Sequence, residues 1–306
     1  MNPPEIPKEP NVPQNILQRA NEGKLCFFLG AGVSQLIGCK GWKEVATNLI
    51  EKCFELKCVN FRQRESILAL NDPKKIITVC YNILCSKDHK DIFFERIEQC
   101  LQTNSALCET QNIYKELSVL PSLLPAVYLT TNIDTNFDFA FKNAVVFDEK
   151  DFNPKNIYFD KLYKIHGTIE QRNSIIFTVP QYLQRYRNAD FGAFLTQIFT
   201  SYSIVFLGYG LEEFEILDFL VTKMGRGIVG LNHCILLPYY KGENYLLDYD
   251  TDYFKPLGIQ VIGFEKDENG YAQLYNVVKK WKKDLTELTS VPHEMVKLME
   301  ETVDSL

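Results

Sequence analysis

The feature that most constrains this chain is a set of short, mostly apolar runs that each break off in glycine or small polar residues. Lys24-Leu-Cys-Phe-Phe-Leu29 gives way to Gly30-Ala-Gly-Val-Ser34, and Ala126-Val-Tyr-Leu-Thr130 to Thr131-Asn-Ile-Asp134. Lys161 to Ile165 ends in His166-Gly167, and Ser203-Ile-Val-Phe-Leu207 in Gly208-Tyr-Gly210. Ser174 to Thr178, His233 to Leu237 and Gly258 to Phe264 are further strand-length runs. Continuous apolar strands belong to sheets covered on both sides, and helical patterns separate them here. The expected class is therefore α/β, a Rossmann-like parallel sheet with helices on both faces. In such sheets a ligand sits beyond the carboxyl ends of the strands, where the glycines and polar residues of this chain collect.

The 306 residues suffice for one large domain or two ordinary ones. Residues 1–13 hold five prolines and read as an extended arm, either clasping a partner or mobile. The main domain is expected over 14–288, opening with a short helix at 14–22 that turns Ile16, Leu17 and Ala20 to one side. Residues 42–120 are helical in pattern throughout and read as a module inserted after the first strand–turn unit. Val45, Ala46, Leu49, Ile50 and Cys53 form one stripe, and Ile92, Phe93, Ile97, Cys100 and Leu101 another. Asp72-Pro73 is an N-cap followed by proline at the first helical position, leading into Ile76, Ile77, Val79, Cys80 and Ile83. Helices are expected after Asp134 through Phe141, over 214–222 and over 271–285. Residues 289–306 read as a helical tail or the start of a linker.

Composition excludes several classes. The net charge of −6 offers no general attraction for nucleic acid or an anionic membrane. The uncharged run 191–211 carries too many Thr, Gln, Ser and Gly residues for a lipid-facing span, and a helix, a turn and a strand fit it better. Prolines and acids stand where a signal peptide would need a basic and then an apolar stretch, so a cytoplasmic protein is expected. The nine cysteines are odd in number and contain no CxxC pair, which points to reduced, buried apolar residues and to no metal site.

Gly30-Ala31-Gly32-Val33-Ser34 alone is compatible with a phosphate-cradling turn or with a merely tight one. It lacks the lysine of a GxxxxGK[ST] loop, which argues against kinase or ATPase chemistry. Taken together and in this order, GAGVS, TTNID, HG and GYG resemble the sirtuin family over roughly residues 24 to 265. The resemblance implies NAD+ bound by Gly30, Ala31, Gly32, Val33, Ser34, Thr131, Gly208, Tyr209 and Gly210, with Asn132, Asp134 and His166 around the nicotinamide ribose. Four departures stand out: no zinc-binding CxxC pairs follow His166, Gly38-Cys39-Lys40-Gly41-Trp42 replaces an Asp-Phe-Arg segment, Thr131 replaces a glutamine, and Gly208-Tyr209-Gly210 replaces a Gly-Thr-Ser motif. With these departures the chain is similar to the sirtuin-like domains of bacterial antiphage defence proteins, which consume NAD+. The implied activity is an NADase releasing nicotinamide and ADP-ribose. Asn132 would orient ribose and water, Asp134 would offset developing charge, and His166 would be the general base. The alternatives are an NAD-dependent protein deacylase and a non-catalytic NAD or ADP-ribose sensor. The resemblance further implies a homo-oligomer and a sensor or activator partner: an ATPase, an Argonaute-like protein or a further C-terminal region. Two minor features stay open. Lys279, Lys280, Lys282 and Lys283 form a solvated face or a basic patch, and Arg185 and Arg187 lie on an exposed loop or contact a phosphate or RNA.

Overall fold

The structure is a computed structural model that describes residues 5–142, 144–155, 157–159, 161–209 and 233–288. Seven strands form one sheet in the order β3-β4-β2-β1-β5-β6-β7, and every neighbouring pair is parallel. They are β1 (Leu25–Leu29), β2 (Ala126–Thr130), β3 (Val145–Val146), β4 (Leu162–Lys164), β5 (Ser203–Leu207), β6 (His233–Tyr239) and β7 (Ile259–Glu265). Leu25 is in register with Ala126 on one side and Ser203 on the other, so β1, β2 and β5 end level with one another. Their carboxyl ends place residues 30–34, 131–134 and 208–209 along one rim.

Both faces of the sheet are covered, which is why the strands are apolar without alternation. Leu25, Phe27 and Leu29 pack with α1 (Gln14–Asn21), while Cys26 and Phe28 point to the opposite core. After β1 come α2 (Ala31–Gln35), α3 (Trp42–Glu55), α4 (Phe61–Leu68), α5 (Pro73–Ser86), α6 (Lys90–Cys100), α7 (Ser105–Thr110), α8 (Ile113–Leu117) and α9 (Leu120–Leu123). Helices α3, α5 and α6 share their own apolar cluster, which also takes in Ile133, Ile175 and Phe177 from the sheet's carboxyl edge. The helical segment thus sits over the strand ends. Asp72 caps α5 by accepting from Lys75 N, with Pro73 at the first turn, as the sequence suggests.

Helices α10 (Val179–Arg187) and α11 (Ala189–Ser201) precede β5, α12 (Asn244–Phe254) joins β6 to β7, and α13 (Gln273–Leu288) follows β7. Helix α11 fills one sheet face with Phe191, Phe194, Leu195 and Ile198. Helix α13 fills the other with Leu274, Val277, Val278 and Trp281.

Four expectations from the sequence are corrected, and one strand goes unforeseen. Residues 174–178 are not a strand: Ile175 and Phe177 pack into the helical cluster, and Ile176 N donates to His166 O instead of joining a ladder. The helix after Asp134 shrinks to a single 3₁₀ turn, Asp138–Phe141, closed by Lys142 in the left-handed region. Arg185 and Arg187 lie on α10 and not on a loop: Gln181 Oε1 accepts from the backbone N–H and the hydroxyl of Thr178 at its start, and Tyr182 and Arg185 are buried. The edge strand β3 is too short to show a pattern. The described part of the arm, 5–13, is docked: Ile6 and Val12 are buried, Glu265 N donates to Pro7 O, and Trp281 Nε1 donates to Pro10 O at 2.9 Å. Prolines lower the entropy lost on docking, so two apolar anchors worth roughly 1.5–3 kcal/mol each are enough.

The expected helix over 214–222 and the tail at 289–306 lie outside the described residues. Among the described residues all nine cysteines are free, and no helix is long and apolar enough to cross a membrane.

Candidate functional site

The glycine turn after β1 is shaped by what presses on it. Gly30 N donates to Leu207 O at 2.9 Å and Gly32 N to Gly208 O at 2.8 Å. A Cβ on Gly32 would run into the Gly208 backbone and Tyr271 Oη, and Gly208 itself needs a left-handed φ of 61°. The two loops therefore lock against each other. Tyr209 is buried and stacks on Phe28 at 4.9 Å, so its ring belongs to the core; Gly210 is not among the described residues.

Beside this turn lies a closed polar network. Asn132 Nδ2 donates to Gly30 O (2.9 Å) and also meets Ser34 Oγ and Tyr114 Oη, each at 3.1 Å. Ser34 Oγ donates to Asp134 Oδ2 at 2.6 Å. Its single proton is then spent, so in the 2.7 Å contact between Ser34 and Tyr114 the phenol is the donor. Burial and the Asp134 charge push the Tyr114 phenol well above its ordinary range and keep it protonated for that task. Asn136 donates its backbone N–H and its Nδ2 to Asp134 Oδ1. Asn132 has both amide protons committed inside the protein, and its Oδ1 accepts no hydrogen bond among the described residues.

A buried lysine supports the network from below. Lys164, fully buried at the end of β4, donates to Asp134 O at 2.5 Å and pairs with both Asp138 oxygens at 3.1 Å. Burial pushes the Asp138 carboxyl up, against the pull of the Lys164 ammonium. Tyr114 and Lys164 are parts of this network that the sequence does not reveal.

Above the network is a narrow cleft of about 40 Å³ between the strand ends and the helical segment. Its floor holds Ala31, Ser34, Thr131, Asn132 and Asp134, and its opposite wall Lys40, Trp42, Val45 and Leu101. Trp42 packs on Phe177 with ring centres 4.6 Å apart. Cys39 also lines the cleft, and burial and the Asp134 charge push its thiol up to about 12, which disfavours the thiolate.

His166 is not among the lining residues. Its loop adjoins that of Asn132, because Ile169 N donates to Ile133 O, yet the imidazole is 1% exposed. Nε2 lies 3.0 Å from Tyr186 Oη, and the ring meets Tyr182 edge-on at 5.0 Å. Burial, with the Lys74 and Arg185 charges behind it, holds the imidazole well below its usual pKa, so it is neutral. The structure thus gathers 31, 34, 131, 132 and 134 on one cleft floor, with His166 beside it under α10.

No curated protein matches the chain. Residues 126–262, from β2 into β7, match the family model of the SIR2-like domain, and this stretch contains Thr131-Asn-Ile-Asp134, His166-Gly167 and Gly208-Tyr-Gly210. That stretch is similar to the SIR2-like domain, a likeness that suggests an NAD-related role.

Proposed function

We propose that the chain hydrolyses NAD+ at the nicotinamide–ribose bond. The bond electrons leave with neutral nicotinamide, positive charge develops at the anomeric carbon, and water adds there with loss of a proton. Asn132 Oδ1 accepts a hydrogen bond from a ribose hydroxyl or from that water. The Asp134 carboxylate, held by Ser34 and Asn136, offsets the developing charge. Lys40, exposed on the opposite wall, suits the diphosphate. His166, the general base that the resemblance implies, is covered by Tyr182 and Tyr186 and takes the proton only once both rings move aside and open it to the cleft. Sustained turnover would empty a cell of NAD+, the antiphage effector role implied by the resemblance, with a sensor partner holding it in check.

The observation that carries this reading is the bonding of Asn132, a residue lining the cleft: both amide protons are anchored, so Oδ1 is the atom left to accept from a ligand. The experiment is nicotinamide release from NAD+ at several protein concentrations, with and without an acetylated peptide. Release without peptide is expected, and His166→Ala should lower it by about 10²-fold or more. Release only with peptide would favour a deacylase, and binding without release a sensor.

A further inference from the structure

Helix α12 presents an unusual outer face. Tyr245, Asp248, Tyr249, Asp252 and Tyr253 follow the i, i+3, i+4, i+7, i+8 spacing and so form one stripe, and all five are exposed. The three tyrosines keep 56%, 67% and 59% of their surface in solvent, although Tyr is a residue that interfaces favour. Tyr245 and Tyr249 meet edge-on at 6.2 Å, so the stripe is ordered on its own helix. Neither Asp248 nor Asp252 makes an ion pair among the described residues. The stripe offers aromatic faces interleaved with carboxylates, which together fit ammonium groups spaced one helical turn apart.

The same chain carries that complement. Lys279 and Lys283 on α13 are one turn apart and exposed, and neither makes an ion pair among the described residues, whereas Lys282 is engaged by Glu116 and Lys280 by Glu9 O. The two faces cannot meet within one molecule. Helix α12 packs on the sheet face that holds Cys26 and Phe28, and α13 on the opposite face. We infer that the α12 stripe docks on the Lys279/Lys283 face of a second copy of this chain, a head-to-tail contact between unlike surfaces. It is independent of what the cleft binds.

Sedimentation velocity of the full chain tests this, using Tyr249→Ser/Tyr253→Ser to remove one face and Lys279→Glu/Lys283→Glu to remove the other. Both pairs lie on the surface, and unchanged thermal melts confirm their folding. The wild type should self-associate, more weakly at high salt, and each variant should lose association by at least about tenfold. An equimolar mixture of the two variants should recover one-to-one dimers and nothing larger, because each retains the face the other lacks. A monomeric wild type, a variant that associates like wild type, or a mixture that stays monomeric would overturn the proposal.

Discussion

Lys164→Met removes the buried ammonium beneath the site while keeping the length of its stem. Asp138 then loses its ion-pair partner, and Asp134 O loses its 2.5 Å donor. Deleting one member of a buried pair costs about 3–5 kcal/mol, and because the Asp138 side chain is 21% exposed the lower end applies, about 3 kcal/mol. For a chain of 306 residues this lowers the melting temperature by on the order of 5 °C. The penalty should shrink towards pH 5, because the raised Asp138 carboxyl protonates more readily once the lysine is gone. Lys164→Met/Asp138→Leu, which leaves no unpaired charge, should recover most of the lost stability. Calorimetric melts of the three proteins at pH 7 decide the matter. A single variant melting within about 1 °C of wild type, or a double variant as unstable as the single, would refute the pairing argument.

Other consequences are equally open to measurement. His233 is pulled down to about 4 by burial and the nearby Arg19 charge, from 6.5 when free, and its Nδ1 accepts from Ile204 N. The unfolded chain therefore takes up a proton that the folded one refuses, so this residue lowers stability as pH falls from 6.5 towards 4, by about 3 kcal/mol in all. His233→Leu should flatten that part of the stability–pH curve, and an unchanged slope would contradict the assignment. Ile6→Ala should cost about 2 kcal/mol in urea unfolding because the arm is docked, whereas an arm loose in solution would show no change. Tyr114→Phe should cost about 1 kcal/mol and slow nicotinamide release, since Ser34 loses its donor and Asn132 an acceptor. Release at the wild-type rate would take Tyr114 out of the site.

The strands most readable in the sequence are β1, β2 and β5, whose apolar runs end within a residue of the observed strands. They are buried on both faces, so their composition alone marks them. The helical stripes of α3, α5 and α6 are legible for the same reason, having a full cluster of their own to fill. Helix α12 is hidden because it packs lightly: only Phe254 is buried, and Tyr and Asp dominate its pattern. Residues 174–178 have the composition of a strand, but their apolar side chains meet the helical segment, a contact no local pattern reveals.

The site divides along the same line. Residues 30–34 and 131–134 follow strand ends, and position along the chain is enough to suggest them. Tyr114 and Lys164 act through burial, and the chain has 16 tyrosines with nothing local to single out the one beside Asn132. The surroundings of His166 depend on α10, whose Tyr182 and Tyr186 cover the ring. A segment read as a loop does not predict that cover.

The cleft contains a built-in reporter, since Trp42 lines it and the only other tryptophan, Trp281, is buried against the arm. Tryptophan fluorescence of the Trp281→Phe protein during NAD+ titration therefore probes the proposed site alone. A saturable change that Asn132→Ala weakens is the predicted result. Emission that stays flat while the same sample releases nicotinamide would place the chemistry elsewhere in the chain.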